Sequence, residues 1–230
     1  MLPIFAKLIS CDAAFRAELK KKYLNHNIYQ YDDAKRYMYN NIDCQNGELH
    51  LIYGGNSIKW ECGGTKIPST TSVNAEHIVP ESFFSKRLPM VSDLHHLISA
   101  PCKLNNKRGN YKFGNFSYDQ VACWCINNDC TTNKPYNPDD YSCLSKSNHW
   151  MPRVSDRGEV ARAVLYWFTM YDDKDVKMEQ VGDLQTFINW AKTYPPSEHE
   201  INRNNLVNQY QGNVNPYIVD PSLVDPAWVN

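Results

Sequence analysis

What most constrains this chain is the order in which its hydrophobic periods change. Two helix-period segments come first. One runs from Ala13 to Leu24, with Phe15, Leu19 and Tyr23 in register and Asp12 placed to cap it; the other runs from Asp32 to Tyr39, with acids in its first turn. The period then shortens to alternation: Glu48 to Tyr53 reads as a strand stopped by Gly54-Gly55, and Ser57 to Glu61 can pair with it. Val73 to His77 and Leu94 to Ser99 read as two more short strands. The first must end near Pro80, which cannot donate to a ladder, and Pro101 suits the first position of a helix reaching Arg108. Helical spacing returns in the last third, with Asp156-x-x-Glu159 as a capping box for a helix to Tyr171, Leu184 to Lys192 closed by Pro195-Pro196, and Ser197-x-x-Glu200 opening another. The tail after Tyr210 is rich in Gly and Pro and is expected to leave the helix and wrap the surface. Helices before and after a set of short strands describe a single α+β domain over residues 1–230, a length that can bury one substantial core.

Between Asn115 and Met151 no period is sustained. The residues are Asn, Asp, Pro and Cys, which reads as an ordered loop insertion, from about Phe116 to Trp150, stapled by its own cysteines. The chain has eight cysteines, an even number that favours disulfides and an oxidising compartment or secretion. The same spacing admits a rival in which Cys123, Cys125, Cys130, Cys143 and His149 hold zinc, although the paired C-x2-C arms of recognisable zinc sites are absent. The start, MLPIFAKLISCDA, shows no clear signal-peptide architecture, and no segment approaches a membrane span, so no membrane partner is expected. No P-loop or Rossmann glycine pattern occurs, which argues against nucleotide-cofactor chemistry.

Most of the chemistry-bearing groups fall between Ser72 and Phe113. Asn74-Ala75-Glu76-His77 is followed by Asp93-Leu94-His95-His96 and then by Leu104-Asn105-Asn106-Lys107-Arg108. The formal net charge of −1 offers no global attraction to polyanions, so nucleic-acid binding has to come from local charge. Between Phe84 and Gly114 that charge exists: Lys86, Arg87, Lys103, Lys107, Arg108 and Lys112 stand against Asp93 alone. Hydrolysis of a phosphodiester needs an activated water and neutralisation of charge on the phosphoryl oxygens. Glu76 is a hard oxygen ligand suited to magnesium, the amide oxygen of Asn105 is a second, and His77, neutral near pH 7, is a natural base for water. One geometric demand follows. Adjacent strand residues face opposite ways, so Glu76 and His77 converge only where the strand ends or bends. By the same rule His95 and His96 should alternate across the second strand, and His50 reads as a packed or exposed strand residue rather than a ligand.

NAEHIVPESFF, PMVSDLHHLISA and KLNNKRGNYKFG, together with RGEVARAVLYWFTMY, PPSEHEINRNN and QGNVNPYIVDP in the same order, resemble the bacterial endonuclease I family. That family comprises secreted, sugar-nonspecific nucleases of the ββα-metal (His-Me finger) group. The resemblance covers most of Tyr31 to Trp228 and leaves out the Cys-rich insertion. It implies a ββα-metal core from Ser72 to Phe113 surrounded by helices, with a helical C-terminal part from Asp156 to Gln211. It further implies His77 as general base and Glu76 with Asn105 as ligands of one divalent metal, Mg²⁺ or another such as Mn²⁺ or Ca²⁺. Asn105 is chosen over Asn106 because it matches the Asn of the family's V-N-x-x-R run. Arg108 matches as well, either as a phosphate contact or as a buried structural cation, and Arg87 is the candidate for a transition-state arginine. Lys86, Lys103, Lys107 and Lys112 would grip the nucleic-acid backbone. His95 and His96 take an orienting role, and Gln211, Asn213 and Asn215 tie down the tail. The expected activity is cleavage of DNA and RNA by a monomer with little sequence preference. The rival from another class is a non-catalytic nucleic-acid-binding or interaction module built on a zinc-binding insertion.

Overall fold

The computed structural model describes residues 11–229. Helix α1 (Cys11–Tyr23) starts one residue before the expected cap, Asp12, whose side chain, like residues 1–10, lies outside what the structure describes. Helix α2 (Tyr31–Tyr37) continues into a π-helical turn, Met38–Ile42. Strands β1 (Cys44–Gln45), β2 (Glu48–Leu51) and β3 (Asn56–Lys59) form an antiparallel sheet, as the alternation of Glu48 to Tyr53 suggests. The Cys44–Cys62 disulfide closes the loop around this sheet.

The centre of the molecule is a two-stranded antiparallel ribbon, β4 (Val73–His77) with β5 (Leu97–Pro101), followed directly by helix α3 (Cys102–Arg108). The order strand, loop, strand, helix is therefore as expected, with one correction. Leu94, His95 and His96 form a turn, not the start of the strand, because the buried Asp93 carboxylate accepts the His95 backbone N–H at 2.9 Å and holds the chain bent there. Pro101 sits at the N-cap of α3, and Gly109 ends it at φ 53°, a conformation that favours glycine. Two apolar clusters clasp the ribbon: Val73 and Leu97 pack with Met38, Ile42 and Leu49, while Ile98 and Ala100 pack with Leu104, Val160 and Trp167.

The Cys-rich stretch is a sheet, not a loop. Strand β6 (Lys112–Phe113) and strands β7 (Val121–Ile126), β8 (Asp129–Thr131), β9 (Ser142–Ser145) and β10 (His149–Met151) pair in the order β6-β10-β9-β7-β8. Its strands are too short to show a period, and Asn127 and Asn148 supply the positive φ of its tight turns at 56° and 59°. Trp124 and Trp150 bury this sheet into the main core, and Cys125–Cys130 crosses the β7–β8 hairpin.

The C-terminal helices α4 (Arg157–Met170), α5 (Met178–Val181), α6 (Leu184–Thr193), α7 (Glu198–Gln211), α8 (Pro216–Val219) and α9 (Val224–Trp228) cover the other face. The capping box expected at α4 is not made, because the Asp156 carboxylate accepts the Tyr53 N–H at 2.8 Å instead. Ser197 does cap α7, but the carboxylate of Glu200 is taken by buried Arg162 at 2.5 and 2.6 Å. The tail does not simply wrap the surface. Gln211, Asn213 and Asn215 are buried, and their amides bond Asp93, Tyr166 and the Arg162 carbonyl. Among the described residues no helix is long and apolar enough to cross a membrane.

Candidate active site

Pairing along the ribbon runs without interruption to Glu76↔Ile98 and His77↔Leu97, so the two side chains leave β4 on opposite faces. The bend that their convergence was expected to need does not fall between them; the strand simply ends after His77. Glu76 turns to Tyr53 and α3, His77 to the loop that joins the two strands. His77 also meets an aromatic ring from α2. The Tyr31 ring centroid lies 5.5 Å from that of His77, and the Tyr31 hydroxyl is pushed well above its ordinary pKa by burial and by the nearby Glu81, Asp32 and Glu76 carboxylates.

Glu76 is buried, and one oxygen, Oε1, accepts the Tyr53 hydroxyl at 2.9 Å and faces Arg108 Nη1 at 3.1 Å. Burial raises its pKa, and Arg108 together with the Tyr53 hydrogen bond works against that rise. Asn105 is on α3, one position round the helix from the buried Leu104, and its Nδ2 donates at 3.3 Å to the carbonyl of Ala75, the residue before Glu76. That bond fixes which way the amide points. Asn106 turns away, donating to Cys102 Sγ at 3.4 Å. Among the described residues, neither Glu76 Oε2 nor Asn105 Oδ1 accepts a hydrogen bond. Two unengaged hard oxygens, one of them on a carboxylate, fit a magnesium-like ion that keeps most of its waters.

His77 is 5 % exposed, and its Nε2 donates to the Val91 carbonyl at 2.9 Å. A carbonyl only accepts, so Nε2 carries the proton and the lone pair of the neutral ring is on Nδ1. Burial first, then His96, pushes the His77 pKa down to about 3, so the ring is neutral across the physiological range. Phe84 and His96 hold it from the sides, with ring centroids 6.1 and 5.5 Å away. His96 is itself fixed by a 2.6 Å bond to the Met90 carbonyl and His95 by a 3.2 Å bond to the Asn213 carbonyl, both from a turn rather than from alternate faces of a strand.

Arg108 is one turn from Leu104 on the same helix face and is 1 % exposed. Its guanidinium donates to the carbonyls of His77 (3.1 Å), Ile78 (2.7 Å) and Gly109 (3.2 Å) and stands 4.5 Å over the Phe113 ring. Among the described residues, every contact of the guanidinium is with protein carbonyls, the Glu76 carboxylate or the Phe113 ring. Arg87 is exposed and ion-paired to Asp173 and to Asp175, the latter at 3.2 Å; among the described residues nothing connects it to Glu76 or His77. The basic patch is also thinner than its residue count. Lys86 is 3.0 Å from Glu81 and Lys103 is 3.8 Å from Asp129, whereas Lys107 and Lys112 are exposed and form no ion pair among the described residues.

Tyr53, Tyr31 and Glu81 were not singled out from the sequence. Tyr53 lies 23 residues before its partner Glu76 and follows an ordinary strand. Glu81 Oε2 is 3.5 Å from His77 Nδ1, at the (i, i+4) spacing that offered the only hint. The zinc set is not assembled. Cys125 and Cys130 are joined to each other, the Cys123 sulfur lies within 4.8 Å of theirs, and neither Cys143 nor His149 joins the group. Cys102, Cys123 and Cys143 are free and buried.

Residues 11–222 match the profile of the family described as Endonuclease I. The chain is 27 % identical over 171 residues to an extracellular ribonuclease of Bacillus amyloliquefaciens, covering 67 % of this chain and 53 % of that protein. It is 24 % identical over 184 residues to an extracellular deoxyribonuclease of Aeromonas hydrophila, covering 69 % and 72 %. A periplasmic deoxyribonuclease of the same organism is 26 % identical over 132 residues, covering 56 % and 48 %. The chain spans about half the length of the Bacillus relative it matches. With the profile matched from α1 through the C-terminal helices, the chain belongs to the endonuclease I family.

Proposed function

We propose that this protein is a metal-dependent endonuclease that hydrolyses phosphodiester bonds of DNA and RNA with little sequence preference. The observation that carries this reading is the end of β4. There a neutral histidine with its lone pair on Nδ1 follows directly in sequence on a buried carboxylate, and an amide on α3 is tied to the same strand; among the described residues the carboxylate and the amide each keep one oxygen free of protein donors. The relatives named as ribonucleases and deoxyribonucleases support both substrates. Glu76 and Asn105 would hold one Mg²⁺-like ion, for which Mn²⁺ or Ca²⁺ can substitute, and the ion supplies charge neutralisation at the phosphate when bound. His77 Nδ1 takes the proton of the attacking water, and the Val91 carbonyl holds the ring in the tautomer that makes this possible.

In this reading the ribbon and α3 form a ββα-metal core, and Arg108 works through Glu76, which it positions, rather than by touching substrate. Lys107 and Lys112, with Lys86 and Lys103 beside them, grip the backbone and carry no sequence information. Arg87 serves as transition-state arginine only after giving up Asp173 and Asp175. The two disulfides and the extracellular or periplasmic relatives favour secretion into an oxidising compartment, where we propose that the protein acts as a monomer. Incubation with plasmid and with RNA, in Mg²⁺ or in EDTA, tests the reading: loss of both substrates only with metal supports it, and an inert protein in Mg²⁺ removes it. A zinc-held interaction module is disfavoured because the Cys125–Cys130 bond consumes two of its ligands.

A further inference from the structure

We propose that Glu81 is a catalytic residue that orients the attacking water together with His77, an inference that rests on the nuclease reading above. Glu81 lies at the start of the loop joining β4 to β5, one residue after Pro80. Its Oε1 is 3.0 Å from the Lys86 ammonium, which fixes the carboxylate. Its Oε2 is buried, has no hydrogen-bond partner among the described residues, and lies 3.5 Å from His77 Nδ1.

Leaving a carboxylate oxygen buried and unpaired is costly, so its position calls for an account. The imidazole does not provide one. Nε2 already donates to Val91, so the neutral ring presents a lone pair at Nδ1, and two acceptors face each other. Only a group with hydrogens to give serves both, and the attacking water has two. One O–H points to Nδ1, which will take the proton, and the other points to Glu81 Oε2, which turns the oxygen lone pair away from both acceptors. The Tyr31 ring lies beside His77, with centroids 5.5 Å apart. When the proton passes to Nδ1, the ring becomes a cation 3.5 Å from a carboxylate, which stabilises it.

The two partners of Glu81 make its substitutions informative in an unusual order. In Glu81→Gln the Lys86 ammonium donates to the amide oxygen and so turns the NH₂ toward His77 Nδ1, where it occupies the lone pair. In Glu81→Ala the water loses one guide but the base stays free. The test is steady-state cleavage of plasmid DNA in Mg²⁺ by wild type, Glu81→Gln and Glu81→Ala. It is read with thermal midpoints and with the same substitutions in a His77→Ala background. The expected result is a kcat lowered about 10-fold in Glu81→Ala and about 100-fold in Glu81→Gln, with KM and thermal midpoints little changed. No further loss is expected in the His77→Ala background. A residue that only held the loop would show the opposite order, because Gln keeps the shape that Ala loses. Glu81→Gln as active as Glu81→Ala or more so, or further loss in the His77→Ala background, overturns the inference and leaves the nuclease reading standing. A wild-type protein that cleaves nothing overturns both.

Discussion

Removing the charge of Arg108 should cost this protein most of its stability, and the size of that loss separates a buried structural cation from a phosphate contact. Arg108→Met keeps an unbranched side chain in place but deletes the guanidinium. Glu76, whose side chain is 3 % exposed, would then keep its carboxylate buried without its cation. Breaking such a buried pair costs about 3–5 kcal/mol, and each carbonyl of His77, Ile78 and Gly109 left without a donor adds on the order of 1 kcal/mol. The total comes to about 6–8 kcal/mol, against a whole-domain stability of roughly 5–15 kcal/mol. Arg108→Lys retains the charge but has no fork to span the carboxylate and the carbonyls, so an intermediate loss is expected. Urea unfolding followed by fluorescence of the buried Trp150 and Trp167 measures both. An Arg108→Met protein with a midpoint like wild type and only weaker DNA binding would refute the assignment, since an exposed phosphate contact changes stability by no more than about 0.5 kcal/mol.

Acid should destabilise the fold through its buried histidines. Burial pushes His95 down to about 4, so its contribution is intact above the unfolded value near 6.5 and is lost as pH falls toward 4, up to about 3 kcal/mol. Glu159, raised by burial and by Glu200 to about 8, has the opposite sign, so the test is the difference between wild type and His95→Gln, which should shrink on acidification. Replacing Cys44 and Cys62 by Ala should cost about 3 kcal/mol and replacing Cys125 and Cys130 about 2, because the second pair closes only a 5-residue separation against 18. Equal or reversed losses in denaturant melts would count against this ranking. Lys107→Ala and Lys112→Ala should each flatten the salt dependence of DNA binding by about one unit of slope, and Arg87→Ala by less, since Arg87 is already neutralised by Asp173 and Asp175. Slopes unchanged by both lysine variants would place the substrate elsewhere.

The parts of the fold that could be read from the sequence are those with a stereochemical signal of their own. Pro80 follows the end of β4 and Pro101 precedes α3, so the strand and the helix that carry Glu76, His77 and Asn105 fall where those signals put them. The burial of Arg108 was also legible in principle, because Leu104 lies one turn before it on the same face. The five-stranded sheet was not. Its strands are as short as two residues, and the Asn residues that mark its turns are the same residues that mark loops. Nor was the turn at His95 and His96, since apolar neighbours on both sides imitate a strand and only the distant groups around Asp93 reveal the bend. Those groups are Tyr166, Tyr171 and Gln211. The pairings of Tyr53 with Glu76 and of Asp156 with the Tyr53 backbone are long-range contacts with no local pattern, which is why a capping box was expected at α4 and a carboxylate partner was not.

The most direct test of the account is cleavage of plasmid DNA and RNA by wild type and by His77→Ala, each in Mg²⁺ and in EDTA, with DNA binding measured alongside. The account predicts that wild type degrades both substrates in Mg²⁺ and neither in EDTA, and that His77→Ala binds DNA but cuts it about 100- to 10,000-fold more slowly. Cleavage near the wild-type rate by His77→Ala, or by wild type in EDTA, would contradict it.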